Sequence, residues 1–255
     1  MTTEKMITEM VKLQIGLNEF TNGKKWIEGV TRTGAIINWG RCIYMETMEL
    51  IDSFPWKHWK DVNATPDIEN IKIELVDIWH FVISLQIESL YRQGEKNYIE
   101  NAIERLVEAA RINEGLDKSI IESRIDSLTQ KEVGNSEYIK TIETLIYLGT
   151  MASDKSDKDV YIVSSNTIPK IFFIVLNELG FSNHDLYKLY LMKNVLNIFR
   201  QQHGYANGQY NKIWNGKEDN EVLTQIMNEV LDFDADLLLE KLEKEYAKVK
   251  GSPNE

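Results

Sequence analysis

The chain has 255 residues, of which 43% are hydrophobic and 27% charged, a composition typical of a globular protein with one large domain or two small lobes. Its formal net charge of −11 excludes the basic footprint of a nucleic-acid-binding protein, although a bound metal would still let an acidic chain take a small anion. The single cysteine, Cys42, excludes an internal disulfide and a cysteine metal cluster.

Apolar residues repeat at helical spacing through most of the chain, and its four prolines leave long stretches free for helix. We therefore predict an all-α fold, a helical bundle with antiparallel helix pairs around a carboxylate metal site, without clear strand-and-turn units. The predicted helices lie at about 3–20, 40–53, 67–92, 97–113, 117–131, 136–151, 167–179, 183–202 and 218–247. Loops are predicted at 21–39, 152–166 and 203–217. We expect a single domain over residues 1–255 with a mobile lobe at about 91–166.

Two acid pairs, Glu46 with Glu49 and Glu74 with Asp77, recur at a spacing of three on the second and third predicted helices. That spacing puts each pair on one helix face, and a turn over residues 53–66 would bring the four carboxylates together. One such pair alone is more typical of a solvated acidic face. These acids, however, are embedded in apolar and aromatic sequence, where they need partners. Oxygen ligands of like charge predict Mg²⁺ or Mn²⁺, often as two ions roughly 3.5–4 Å apart.

The stretch from Pro55 to Lys60, between the two acidic helices, alternates tryptophan with basic residues. Lys57 could contact phosphate oxygens, and Trp59 could form the wall of a pocket. Taken alone, the stretch is better explained by tryptophans in the core and lysines in solvent.

Two later segments carry groups suited to a nucleotide. Lys193, Asn197 and Arg200 share one face of a predicted helix, where the cations suit phosphate and the amide suits a base edge. An exposed polar face explains the same pattern equally well. The segment from Trp214 to Asn220 leads into the last predicted helix, and its Gly-Lys pair at a helix start would attract an anion.

Together these motifs resemble the dimeric, all-α dUTPases of kinetoplastids and some bacteria, with the Campylobacter type most similar. The blocks that carry the resemblance, in the family's order, are residues 13–18, 46–60, 74–81, 193–201 and 210–220. The segment from about residue 91 to residue 169 carries no recognised block.

The resemblance implies a role for each matching residue. It implies two or more Mg²⁺ ions, replaceable by Mn²⁺, on Glu46, Glu49, Glu74 and Asp77. Among these it makes Glu46 and Glu49 catalytic, with Glu49 orienting the attacking water. It assigns the base and sugar pocket to Gln14, Asn18, Trp59, His80 and Asn197. It assigns phosphate binding to Lys57, Lys193, Arg200 and Lys217, supported by Asn215, Glu218 and Asp219. The alternative for Gln14 and Asn18, which lie four apart, is a surface pair, and His80 is equally well explained as a core histidine.

The implied activity is hydrolysis of dUTP, and also of dUDP, to dUMP with release of pyrophosphate or phosphate, by metal-activated water attacking the β-phosphorus. The implied assembly is a homodimer. The first ten residues lack the apolar core of a signal peptide, and no apolar run approaches the roughly 18 residues of a membrane span. We therefore expect a cytoplasmic enzyme whose partner is a nucleotide, without nucleic acid or membrane contacts.

Three alternatives stay open at this point. Another all-α nucleotide pyrophosphohydrolase, such as a dCTPase, would share the carboxylates and differ in the base pocket. A di-iron carboxylate bundle needs Glu-x-x-His on two helices, and the sequence contains no such motif. A non-catalytic helical interaction module would show no nucleotide turnover with Mg²⁺.

Overall fold

The computed structural model describes residues 1–60, 64–115, 119, 123–124, 137–229 and 234–250. Its α-helices are α1 Thr3–Asn22, α2 Trp39–Asp52, α3 Ile68–Arg92, α4 Tyr98–Ala110, α5 Glu137–Ser153, α6 Lys158–Glu178, α7 Asn183–Gln202, α8 Asp219–Glu229 and α9 Ala235–Lys250. Short 3₁₀ helices occupy Lys24–Glu28, Arg111–Asn113 and Tyr205–Asn207, and two short strands, β1 Ile213–Trp214 and β2 Lys217–Glu218, pair antiparallel. The prediction of an all-α fold is confirmed.

The chain forms two compact units, Met1–Tyr187 and Lys188–Glu255. The mobility of residues 91–166 stays a prediction. The helix predicted at 117–131 lies outside the described residues, apart from positions 119, 123 and 124.

Polar residues fix the starts of four helices. Thr2, Asn38, Asp67 and Asp157 each precede a helix and accept a hydrogen bond from the backbone N–H three residues further on, at 2.9–3.4 Å. Such N-caps satisfy amide groups that the first turn of a helix leaves without partners. The Asp157 cap begins α6 at Lys158, so the predicted loop at 152–166 is wrong from residue 158 onward. The Ser-rich composition of that stretch suggested a loop, but tertiary packing overrides such weak local preferences.

Helix α3 forms the centre of the first unit, with most of its side chains buried and contacts to α1, α2, α4 and α6. Trp79 of α3 stacks on Phe172 of α6 and meets Phe173 edge-on, each at 5.1 Å between ring centroids. Within the described residues, α6 is the one helix that is long and apolar enough, by length and composition, to cross a membrane. Its packing against α3 is that of a core helix.

Helix α2 crosses α5 with the two backbones almost in contact. A Cβ atom at Gly40 would lie 2.6 Å from the backbone of Ala152 and Ser153, and one at Gly149 would lie 3.1 Å from the backbone nitrogen of Tyr44. The distance at Gly40 is too short for any unstrained side chain, so glycine is required there, and the distance at Gly149 is a tight contact. Because α2 also packs on α3, its backbone is held from two sides.

Aromatic rings form the core of the second unit. Phe199, Tyr210, Trp214 and Tyr246 meet at centroid distances of 5.2–6.3 Å. The predicted single helix at 218–247 is wrong, because the chain forms two helices there, α8 and α9; residues 230–233 between them lie outside the described part.

A tight hairpin joins β1 to β2. Asn215 and Gly216 occupy its turn with φ of +52° and +84°, the left-handed pair that a type I′ turn requires. Asn-Gly is the strongest short hairpin signal in a sequence, and the expectation of no strand-and-turn unit overlooked it.

Candidate functional site

Three carboxylates meet where α2 packs on α3. Ligand oxygens of Glu46, Glu74 and Asp77 all lie within 4.8 Å of one another. Glu74 is buried and the other two side chains are half-buried. The chain folds back sharply between the helices, where the Asp67 N–H donates to the Ser53 carbonyl at 2.9 Å. Like charges at this range repel unless a cation lies among them, and an oxygen-only ligand set fits a hard divalent ion.

Glu49, the fourth predicted metal ligand, is exposed and is not one of this group of described carboxylates. It lies one turn beyond Glu46 on α2. With Met45, Met48 and Trp56 it lines a small cavity of about 310 Å³. The structure therefore brings three of the four predicted ligands together and places Glu49 next to them along the helix.

The basic-aromatic stretch after α2 folds onto Asp52. The Lys57 ammonium and the Trp56 indole N–H both donate to one carboxylate oxygen of Asp52, and these two bonds hold its pKa below the usual range. Trp59 meets Trp56 edge-on at 5.7 Å between centroids and is 63% exposed. Lys57 is thus bound to a neighbouring carboxylate, whereas Trp59 presents its ring to solvent.

A buried amide cluster lies on the same face of α3 as Asp77. Asn18 donates to Ser84 Oγ at 2.9 Å, and Gln14 donates to Asn18 Oδ1 at 3.0 Å and to Ser84 Oγ at 3.2 Å. Gln14 and Asn18 are only 2% and 3% exposed, so they are not a surface pair. Sequence reasoning missed Ser84, although its spacing of seven from Asp77 puts both residues on one helix face, roughly 10 Å apart along the axis.

His80 is buried beside this cluster and is tied to the backbone of its own helix. Its ring Nδ1 lies 2.8 Å from the Val76 carbonyl and therefore donates to it, while the His80 carbonyl accepts from Ser84 Oγ at 2.8 Å. The bond at Nδ1 fixes the orientation of the imidazole ring.

A family model described as dUTPase matches residues 6–205. The chain belongs to the dUTPase family. The match covers the carboxylates, the amide cluster and the basic segment at 193–201, while the block at 210–220 lies beyond it. No curated protein matches the chain.

The chain is therefore an enzyme, a dUTP diphosphatase with a nucleotide as its substrate, and the alternative of a non-catalytic helical module is wrong. dUTPases use divalent metal ions, and Glu46, Glu74 and Asp77 form a carboxylate group that can hold one. A divalent cation placed among the three carboxylates would offset the repulsion between their like charges.

In the second unit of the enzyme, Arg200 and Asp219 form a buried ion pair. Two guanidinium nitrogens of Arg200 donate to the two carboxylate oxygens of Asp219, each at 2.8 Å, and the Tyr210 hydroxyl donates to the same carboxylate at 2.8 Å. Burial raises the pKa of Asp219, but the bonds and charge of Arg200 outweigh it and hold that pKa below its usual range. Burial, followed by the charge of Asp219, raises the pKa of Tyr210.

Amide oxygens extend this ion pair. Arg200 also donates to Asn197 Oδ1 at 3.2 Å and to Asn220 Oδ1 at 3.1 Å, and the buried Lys193 donates to Asn220 Oδ1 at 2.9 Å. The structure therefore brings Lys193, Asn197, Arg200 and Asp219 into one polar network, while their roles in substrate binding stay predictions. Sequence reasoning missed Asn220 and Tyr210, because neither residue type marks a buried polar network by itself.

The remaining candidates of the dUTPase, Asn215, Lys217 and Glu218, lie exposed on the hairpin. The Glu218 N–H donates to the Glu221 carboxylate at 3.1 Å, at the entry to α8. These residues therefore form a hairpin that leads directly into α8, which is shorter than the predicted helix.

Proposed function

We propose that the enzyme hydrolyses dUTP to dUMP and pyrophosphate, and dUDP to dUMP and phosphate, with Mg²⁺ ions held by Glu46, Glu74 and Asp77. The observation that carries this proposal is the approach of three carboxylates to within 4.8 Å of one another on two packed helices of a dUTPase. Oxygen-only ligands favour Mg²⁺, and Mn²⁺ can replace it. Two or more bound ions would lower the pKa of water and neutralise charge on the phosphates.

Glu49 is the residue that we propose orients the attacking water. It lies one turn from Glu46 on α2, and its exposed carboxylate can accept a hydrogen bond from a water outside the cluster. That water attacks the β-phosphorus, so dUMP leaves and the β-phosphate takes the new oxygen. The γ-phosphate is not at the reacting centre, which is why dUDP remains a substrate.

The amides of Gln14 and Asn18 are the groups that we propose read the base. Uracil offers an acceptor, a donor and an acceptor in a row, and carboxamides can match such an edge. Both amides lie on α1 and are buried against Ser84, which shares the face of α3 that carries Asp77. Cytosine would leave one of these groups wrongly paired, which is costly where water is excluded. His80, Trp59 and the phosphate ligands Lys57, Lys193 and Arg200 remain proposed from the family resemblance.

One labelling experiment tests the reaction. We expect Mg²⁺-dependent turnover of dUTP and dUDP, with much weaker turnover of dCTP, dTTP and UTP. In ¹⁸O-labelled water the label should appear in pyrophosphate and not in dUMP. Label in dUMP together with an inert dUDP would show attack at the α-phosphorus, and equal efficiency on dCTP and dUTP would place the enzyme with the dCTPases.

A homodimer is proposed as the working assembly. The proposal is supported by apolar side chains left exposed around α2, namely Met45, Met48, Trp56 and Trp59. A stable interface buries on the order of 800 Å² per partner, and such side chains are the kind that it covers. Sedimentation should give a dimer that Met48→Glu dissociates, whereas Ile36→Glu, at an exposed site elsewhere in the first unit, should not. A monomeric wild-type protein would contradict the proposal.

A further inference from the structure

A second cavity lies in the first unit, between α3, α4 and α6. It has a volume of about 660 Å³, and neither the carboxylate cluster nor the amide cluster lines it. This volume falls within the roughly 300–1,000 Å³ of small-molecule sites. Three acidic and three basic residues line the cavity, so a ligand would be selected by the placement of individual groups rather than by net charge.

Gln86 of α3 is a buried polar group in the wall of this cavity. It is only 1% exposed, and within the part of the chain that the structure describes neither its amide nitrogen nor its amide oxygen has a hydrogen-bond partner. Buried amides are almost always paired, so an orphaned donor and acceptor on one side chain require an explanation. A ligand edge with a donor beside an acceptor would satisfy both atoms at once.

Cations lie around the same cavity. Arg105 of α4 uses one guanidinium nitrogen to donate to Asn166 Oδ1 at 2.5 Å, and among the described residues its other N–H donors make no further hydrogen bond. Lys170 of α6 is exposed at the wall. Arg111 is already engaged with Glu108 at 2.6 Å. Arg105 and Lys170 are therefore the groups suited to a phosphate.

We propose that this cavity is a second nucleotide site, which takes a nucleoside monophosphate with its base edge on Gln86 and its phosphate on Arg105 and Lys170. A carboxamide pairs with any edge that places a donor beside an acceptor, so the site selects the class of ligand rather than one base. The enzyme's own product, dUMP, belongs to this class; that identification rests on the proposed function, whereas the cavity and its unpaired amide do not.

The test is a titration followed by methyl NMR, with the metal removed by EDTA. Ile103 and Val107 line the cavity, so their methyl signals report on this site and not on the carboxylates. We expect saturable shifts with dUMP, and affinities at least about tenfold weaker for deoxyuridine and for inorganic phosphate, each of which lacks one half of the interaction. Equal shifts with phosphate alone, or no shift with dUMP, would overturn the proposal.

Variants locate the site. Arg105→Ala and Lys170→Ala should each weaken dUMP binding about tenfold, whereas Lys158→Ala, an exposed lysine of the same helix away from the cavity, should not change it. Gln86→Leu should raise the melting temperature, because it removes an unpaired amide, and should abolish the shifts. Unchanged binding in Gln86→Leu or Arg105→Ala would refute the assignment.

The two proposals fail separately. The titration contains no metal and no turnover, so its failure leaves dUTP hydrolysis untouched. Likewise, if the ¹⁸O label were absent from pyrophosphate or the enzyme did not prefer uracil, the shifts of the Ile103 and Val107 methyl signals with dUMP would still report binding in the cavity.

Discussion

The carboxylate cluster of the first unit and the Arg200–Asp219 pair of the second unit are two different arrangements of charged side chains. In the first, Glu46, Glu74 and Asp77 bring charges of one sign within 4.8 Å. In the second, each carboxylate oxygen of Asp219 receives a guanidinium N–H at 2.8 Å. A group of like charges is a reason to bind a cation, whereas balanced charge holds a fold together. A ligand site therefore differs from a structural ion pair in the charge of the groups next to each carboxylate, and not in the number of acids.

The largest expected effect comes from the carboxylate cluster. Glu46→Gln and Glu74→Gln each remove a charge and a proposed metal ligand at nearly constant shape. Turnover of dUTP should fall about a thousandfold, roughly 4 kcal/mol of transition-state stabilisation, while the melting temperature without metal holds or rises because repulsion is relieved.

Steady-state kinetics and thermal melting in EDTA check both parts of that expectation. Glu69→Gln is the matched control, since Glu69 lies exposed on α3, where Lys72 donates to it at 2.6 Å. Turnover near the wild-type level in Glu74→Gln would remove the main argument for the metal site.

The balanced pair should behave in the opposite way. Asp219→Asn leaves the Arg200 charge buried without its partner, and we expect a loss of about 3–5 kcal/mol in the free energy of unfolding. Urea denaturation followed by circular dichroism measures it, with Asp236→Asn, at an exposed site on α9, as the control. A loss below about 1 kcal/mol would show that the pair contributes little to the fold.

The position of the carboxylate cluster depends on the close crossing of α2 and α5. Alanine substitutions at two glycines, one at the crossing and one away from it, test this dependence. Gly40→Ala places a methyl group 2.6 Å from the backbone of α5 and should cost about 1–3 kcal/mol of stability. Gly16→Ala, in an exposed part of α1 with nothing within 4 Å, should instead add about 0.5–1 kcal/mol. Chemical denaturation of both variants gives the comparison, and equal signs would mean that the crossing does not require glycine.

The smallest expected effect is a pH dependence of the second unit. The pKa of Asp219 is lower in the folded state, so its contribution to stability is full above the unfolded value of roughly 3.9 and is lost as the pH falls through the folded value. The difference in melting temperature between wild type and Asp219→Asn should therefore be constant from about pH 6 to pH 5 and shrink towards pH 3. A difference that grew in acid would contradict the assigned direction.

The sequence by itself determined the helices that carry the carboxylate cluster. The predicted helices at 40–53 and 67–92 agree closely with α2 and α3, because their apolar period and capping residues are local signals. The spacing of three that aligns Glu46 with Glu49 and Glu74 with Asp77 is also a local property of a helix. Such patterns depend only on residues that are neighbours along the chain. The all-α class and the family could therefore be predicted from them.

Only the tertiary structure decided which of these groups meet. It excluded Glu49 from the cluster of described carboxylates, added Ser84 to the amides and gave Asp219 its cation. It also converted a Ser-rich stretch into the first turns of α6. The physical reason is that the burial, pairing and pKa of a side chain depend on residues distant in sequence, which the packing of one helix on another brings together. Gly40 allows such packing between α2 and α5.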